Sequence, residues 1–388
     1  MAIYNLEFAY PTKVIFGEKK LNELANIKLP GKKALIVITA DRIVEKMGYL
    51  QETINLLKNN NCESIVYDGI KSNPKKSAIM AGAKIAINEN CDFVIGLGGG
   101  SSVDSAKCIA VMMKMPGDIW DYALYGTGLK KPITDAAPII AISTTSGTGT
   151  ETDGGAVITH DETQEKVYVS SFLMRPTVSI IDYTLMTSLP PALTAYQGYD
   201  AIAHASECFI SRDCSQLTEM FALEVLRITA KWLPVAYKEP NNLEARGWMA
   251  YAANILGGMI QTMAPTTSPH TIGEAISGMF PTVQHGASLA VIAEAYYTKY
   301  ASKIADRMDI MGEAMGEKPD GTGMAYVRAI TKILDETNIR EIKLSEHGVQ
   351  LEDIKKIAHN AHDVVGFSAD RFDIPLEEVE EILKDSYR

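Results

Sequence analysis

Four short apolar runs punctuate the first half of this chain: Ala34-Leu35-Ile36-Val37-Ile38, Ser64-Ile65-Val66-Tyr67, Phe93-Val94-Ile95-Gly96-Leu97 and Pro138-Ile139-Ile140-Ala141-Ile142. Between them lie stretches with helical spacing, such as Lys76 to Asn90. Runs of this length without polar alternation fit strands buried on both faces, and their alternation with helices predicts an α/β domain with a doubly wound parallel sheet. A further pair of strands is expected over Gly155–Thr159 and Lys166–Ser170, around a polar turn at His160-Asp161-Glu162. After Leu189-Pro190-Pro191 the texture changes to long Ala-, Leu- and Met-rich stretches that continue to Arg388. That half is expected to be almost wholly helical. The expected domains are therefore 1–188 and 189–388, with residues 316–323 as a surface loop.

Bulk properties narrow the function classes. A length of 388 residues suits two domains. A net charge of −11 argues against a nucleic-acid footprint, which needs a basic face, and gives no reason to expect an anionic membrane surface. No run approaches the length of a membrane span, and Met1-Ala2-Ile3-Tyr4-Asn5-Leu6-Glu7 lacks the basic and apolar regions of a signal peptide. The five cysteines are scattered, with no Cys-x-x-Cys pair, which fits reduced thiols and a cytoplasmic location.

Two loops carry ligand chemistry. Gly96 through Lys107 joins a strand to a helix and contains Gly98-Gly99-Gly100-Ser101-Ser102. Glycines let a backbone approach a pyrophosphate, and a helix start presents free N–H groups to it. The spacing is not the Gly-x-Gly-x-x-Gly fingerprint, and a tight turn with a capping serine reads the same residues equally well. The second loop, Ser143-Thr144-Thr145-Ser146-Gly147-Thr148-Gly149-Thr150-Glu151, also follows a strand. Its hydroxyls suit phosphates, ribose or nicotinamide, or else local side-chain to backbone bonds. Two such loops at the ends of strands in one sheet favour a ligand crevice.

Asp200 and His204 stand four residues apart and fall on one helix face. Read alone, they are a surface carboxylate and a core histidine. His270 and His285, each beside Pro or Gly in apolar helical surroundings, offer the two further ligands of a divalent-metal site. Of the remaining histidines, His160 is expected to be a solvated turn residue, and His347, His359 and His362 to lie on a polar surface. A His₃–carboxylate set suits Fe2+ or Zn2+ alike, either acting as a Lewis acid on a carbonyl. The run Pro265-Thr266-Thr267-Ser268-Pro269 before His270 has two readings. It is a hydroxyl-lined helix start that holds an acidic substrate, or a capping turn.

Several segments in order complete a pattern: Phe8 through Pro11, Phe16-Gly17, Asn73-Pro74, Gly98 through Lys107, Trp120-Asp121-Tyr122, Thr144 through Thr148, Asp200-x-x-x-His204 and His285-Gly286. Over essentially the whole chain this resembles the iron-containing (group III) alcohol dehydrogenase family. The resemblance implies a Rossmann-like dinucleotide-binding domain, a helical domain of the architecture shared with dehydroquinate synthase, a cleft between them, and a homodimer built through an opening hairpin. Carried over residue by residue, it makes Asp200, His204, His270 and His285 the metal ligands. It makes Gly99, Gly100, Ser101, Asp104, Thr144 and Lys166 cofactor contacts, with Thr145 beside them in the second loop. The family places a carboxylate near the end of the first strand of the sheet, facing the ribose. Asp41 there favours NAD, whereas Ala40 in that register leaves room for NADP.

Three departures mark a divergent member. The family's second histidine, four residues after the third ligand and close to the nicotinamide, is Glu274 here. The interval from His270 to His285 is one residue longer than usual, and the usual Asn after the Thr-rich loop aligns with Gly155. The expected activity is reversible hydride transfer between NAD(P) and a small, in one reading polar, alcohol or aldehyde, with Glu274 a candidate proton relay. The rivals are an NAD-dependent lyase or cyclase like dehydroquinate synthase, and a non-catalytic nucleotide-binding subunit.

Overall fold

Eight strands organise the first part of the chain: β1 (Lys13–Gly17), β2 (Lys33–Thr39), β3 (Glu63–Ile70), β4 (Phe93–Gly98), β5 (Ile139–Ser143), β6 (Gly155–Thr159), β7 (Lys166–Ser170) and β8 (Val178–Asp182). The structure is a computed structural model describing residues 8–388, and the reading of Met1 to Glu7 falls outside the described residues. The chain divides into two units, one spanning Tyr10–Ser188 and one holding Leu189–Arg388.

In the first unit six strands form one parallel sheet in the order β1-β8-β5-β4-β2-β3, while β6 and β7 form an antiparallel ribbon. The apolar runs are buried as their composition demands: every residue of β4, β5 and β8 is buried, as are Ala34 to Ile38 of β2. Ile36, Ile38, Ile95, Leu97, Ile140, Ile142 and Ile180 belong to one core cluster. Helices Tyr49–Asn59, Lys76–Asn88 and Gly100–Met112 supply crossovers.

β1 and β8 lie beyond the four sheet strands anticipated from the alternation. β8 is reached from β5 through the ribbon rather than through a crossover helix, so the alternating signal is missing there. β1 precedes any helix and joins the sheet only by pairing with β8, Ile15 opposite Ile180. Of the expected opening hairpin, Lys13–Gly17 is thus an edge strand of the main sheet, while Phe8 through Pro11 belong to no strand among the described residues. His160 also differs from its expectation as a solvated residue. It is half-buried, its Nδ1 accepts the N–H groups of Glu162 and Thr163 at 3.2 Å each, and its ring meets Trp120 edge-on.

The direction of winding reverses at β2. β3 lies on one side of it and β4 on the other. A doubly wound sheet opens a crevice at the carboxyl ends of the strands flanking such a switch point. Thr39-Ala40-Asp41 and Gly98-Gly99-Gly100 occupy those ends here.

The second unit contains no strand among its described residues. Its principal helices include Pro191–Ile210, Gln216–Lys238, Ser268–Met279, His285–Tyr300 and Met324–Glu336. Local chemistry sets their starts. Proline stands at the first helical position of Pro191–Ile210, where its missing N–H costs nothing. Ser215 caps the next helix by accepting from Thr218 N–H at 3.2 Å. The core includes a ring cluster of Tyr296, Tyr297, Tyr300 and Tyr326. No helix of the described residues is long and apolar enough to cross a membrane.

Candidate functional site

Helical periodicity places Asp200 and His204 on one face of Pro191–Ile210, and the second unit brings His270 and His285 to them from the first turns of two other helices. Close crossing is what makes this possible for His285. A β-carbon on the adjacent Gly286 would collide with the backbone of Tyr196, so only glycine lets that helix start approach so near. Asp200 Oδ1 then lies 3.8 Å from His204 Nε2, 3.6 Å from His270 Nε2 and 3.6 Å from His285 Nε2. Asp200, His270 and His285 offer ligand atoms all within 4.8 Å of one another. The ring of His204 stands 4.4 Å from that of His270, centroid to centroid.

The residues fit a metal ion. Ligands about 2.1 Å from a tetrahedral ion stand roughly 3.4 Å apart, close to the separations seen here. Buried polar atoms normally find hydrogen-bond partners, yet Asp200 Oδ1 and His270 Nε2 have none among the described residues. Charge tells the same story. Burial alone would raise the Asp200 carboxyl, but the surrounding imidazoles, His204 foremost, hold it well below the usual carboxylate range. Burial alone would lower His270, but Glu207 and Asp200 together push it up to about 10. The cluster calls for positive charge at its centre, which a divalent cation supplies. His285 is the most accessible of the four, its side chain 25% exposed against 7% or less for the others.

In the first unit the two loops lie side by side, tied by Thr144 N–H donating to Gly98 O at 2.9 Å. Gly98 has φ +145°, where a β-carbon would press on Ser102 Oγ at 2.6 Å. Gly99 caps the Gly100–Met112 helix, and added β-carbons at Gly99 and Gly100 would meet the methyls of Thr145 and Thr148 at 2.9 and 2.7 Å. The glycines are therefore required by the neighbouring loop as well as by any close approach of a phosphate. Ser101 follows in the first turn of that helix. Thr144 and Thr145 are buried beside it. Asp41 is exposed just past the end of β2, its Oδ1 accepting from Thr39 Oγ1 at 2.7 Å and Ile43 N–H at 3.1 Å.

Asp104 and Lys166 sit differently. Both oxygens of Asp104 are engaged within the protein, by Thr150 Oγ1 at 2.6 Å and Val157 N–H at 2.9 Å. Lys166 is buried at the start of β7, paired with Thr159. Glu274 is half-buried on the His270 helix, one turn further on.

Among the buried charged residues that escaped the sequence reading, Lys107 and Glu207 bear most directly on the two candidate sites. Lys107 is fully buried and donates to Thr150 Oγ1, Asp153 Oδ1 and Gly155 O at 2.6–2.7 Å. Glu207 is also fully buried and accepts from His270. Each had a local signal: Lys107 follows Asp104 by three positions, and Glu207 continues the polar stripe Asp200, His204 down an otherwise apolar helix. Of its two readings, the Pro265–Pro269 segment takes that of a capping turn. Its helix-start donors are already filled from within the protein, Thr267 N–H by Glu207 Oε2 at 3.0 Å and Ser268 N–H by Asp370 Oδ2 at 3.1 Å. Those N–H groups hold internal carboxylates, not an acidic substrate.

A parallel sheet with paired loops at its carboxyl ends, and a buried carboxylate–histidine cluster in the helical unit, suit a nucleotide and a divalent metal, and the comparisons with known proteins give the class: an oxidoreductase. Residues 11–183 match the iron-containing alcohol dehydrogenase model, and residues 194–387 match the C-terminal model of the Fe-containing alcohol dehydrogenase family. The chain is 33% identical to 1,3-propanediol dehydrogenase of Klebsiella pneumoniae over 368 residues, 93% of each protein. It is 28% identical to the NAD-dependent methanol dehydrogenase of Bacillus methanolicus, over 98% of this chain and 99% of that protein. The crystal structure of NADH-dependent butanol dehydrogenase A of Thermotoga maritima superposes with a TM-score of 0.89 at 29% identity, covering 100% of this chain and 99% of that one. The chain belongs to the iron-containing alcohol dehydrogenase family, and it is an alcohol dehydrogenase. The lyase and the non-catalytic subunit are not favoured.

Proposed function

We propose that the protein transfers hydride reversibly between NAD and the carbonyl carbon of a small aldehyde or ketone, with Fe2+ at the Asp200 cluster and Zn2+ as the alternative occupant. The observation carrying this reading is the set of three imidazole Nε2 atoms 3.6–3.8 Å from Asp200 Oδ1. Asp200, His204, His270 and His285 would hold the ion, which when bound supplies Lewis-acid polarisation of a carbonyl oxygen and stabilisation of an alkoxide. Asp200 contributes the negative charge of that set, and His285 is the ligand most open to solvent.

The N–H groups at the start of Gly100–Met112, with Gly99, Ser101, Thr144 and Thr145, bind the pyrophosphate and its surroundings. Asp104 and Lys166 act from behind, Asp104 by fixing Thr150 and β6. Asp41 favours NAD over NADP, because a carboxylate beside the ribose accepts from its hydroxyls and repels a 2′-phosphate. Names among the relatives, NAD-dependent methanol dehydrogenase and NADH-dependent butanol dehydrogenase, support that choice.

With the Pro265–Pro269 donors filled internally, the basis for an acidic substrate is gone, and simple alcohols are the better class. Glu274 is the group proposed to take up or deliver the proton. An unaltered pH–rate profile in Glu274→Gln removes it from that role. The reading also includes a cytoplasmic homodimer or higher homo-oligomer. Five free, buried cysteines support the reducing compartment, and light scattering on the purified protein tests the assembly. The central test is anaerobic oxidation of NADH and NADPH over an aldehyde panel, using protein stripped of metal and reloaded with Fe2+ or Zn2+. Metal-dependent turnover with NADH is expected. Binding of metal and nucleotide without turnover overturns the reading.

A further inference from the structure

We propose that Glu207 is a positioning residue for His270, locking the imidazole in the one tautomer that presents Nε2 to the metal. The inference rests on the metal reading above. Glu207 Oε1 lies 2.7 Å from His270 Nδ1, and the Glu207 side chain is fully buried. Its other oxygen, Oε2, accepts the backbone N–H groups of Thr267 at 3.0 Å and His270 at 3.2 Å. Oε2 is thus taken up by backbone donors, and Oε1 is left to face the ring. With Nε2, 3.6 Å from Asp200 Oδ1, given to a metal ion, the remaining ring proton would sit on Nδ1 and be donated to Oε1.

The arrangement goes beyond a helix cap. The cap needs only Oε2, and the next donor in the same turn, Ser268 N–H, is already served by Asp370. Oε1 is spent on the ring alone. Glu207 also stands on the same helix as two of the ligands, three positions after His204 and seven after Asp200, so one rigid element carries two ligands and the support of a third. A buried carboxylate is costly unless charge compensates it. A divalent ion on the far side of the imidazole provides that compensation. Carboxylate–histidine–metal triads of this kind fix ring orientation and raise ligand basicity, and losing the outer partner weakens metal affinity about 10- to 100-fold.

The test titrates metal-stripped wild-type, E207Q, H270A and E207Q/H270A proteins with Co2+, reading affinity by chelator competition and geometry by the visible d–d bands. E207Q is expected to bind Co2+ about 10- to 100-fold more weakly, with altered bands. In the H270A background the same substitution is expected to change affinity little, because Glu207 acts through His270. Affinity and bands in E207Q equal to wild type, or full additivity in the double variant, overturn the assignment while leaving the metal reading intact. A wild-type protein that binds no Co2+ overturns both. Should E207Q not fold, the wild-type Zn2+ form still decides. Its proton spectrum is expected to show a slowly exchanging, low-field imidazole N–H coupled to His270 Nδ1, and a freely exchanging proton there overturns the proposal.

Discussion

The phenol of Tyr168 fills the volume that a β-carbon on Gly155 would need. The two residues are diagonal neighbours across the ribbon, because Gly155 pairs with Ser170 and Val157 with Tyr168. Gly155→Asn, restoring the residue usual in the family, is therefore expected to destabilise the protein by about 1–3 kcal/mol through overpacking. Adding Tyr168→Ala is expected to recover much of that loss. Thermal unfolding of both variants decides it, and a single variant as stable as wild type would show that the phenol moves aside freely.

Asp200 is the acceptor around which the histidines gather. Asp200→Asn keeps the shape but removes the charge that favours a divalent ion. A loss of about 1000-fold in kcat/KM is expected, equivalent to about 4 kcal/mol of transition-state stabilisation. Nucleotide affinity should stay near wild type, since the glycine and threonine loops belong to the other unit. Steady-state kinetics paired with NADH-binding fluorescence would separate the two effects, and an unchanged kcat/KM would end the assignment.

Gly286 is where the His285 helix meets the backbone of Tyr196. Gly286→Ala forces the two backbones apart and carries His285 with them. The expected cost is about 1–3 kcal/mol of stability, accompanied by weaker Co2+ binding. Ordinary stability and ordinary metal affinity together would show that the crossing is loose.

Asp370 gives a pH signature. Burial, with Glu207 nearby adding to it, pushes its carboxyl up to about 6, although Ser268 hydrogen bonds work in the opposite sense. The folded chain thus holds this proton more tightly than the unfolded chain, whose aspartates titrate near pH 3.9. The stability contributed is full below about pH 4 and is lost as pH rises through 6, by about 3 kcal/mol. Unfolding free energies of wild type and Asp370→Asn, compared from pH 4 to 7, should show the wild-type advantage shrinking as pH rises. A difference independent of pH would contradict the shift.

The sheet strands β2 to β5 were legible because each is a continuous apolar run, and such a run reports its own burial. β8 was not, because it lacks a crossover helix before it, and β1 depends on β8 for its place. The pairing of Asp200 with His204 was legible because helical periodicity is local. His160 was misjudged for the converse reason: a polar turn sequence carries no sign that Trp120, 40 positions earlier, will stand 4.8 Å from its ring.

The sequence by itself determined the alternation that winds the first unit, the helical character of the second, and the residue types that a metal and a nucleotide require. Tertiary structure alone decided which groups complete them. Glu207 reaches His270 across 63 positions, and Asp370 reaches Ser268 across 102. Such pairings obey no periodicity. They form only when separate helices pack, and then a buried carboxylate must find a donor or bear the cost of burial without one.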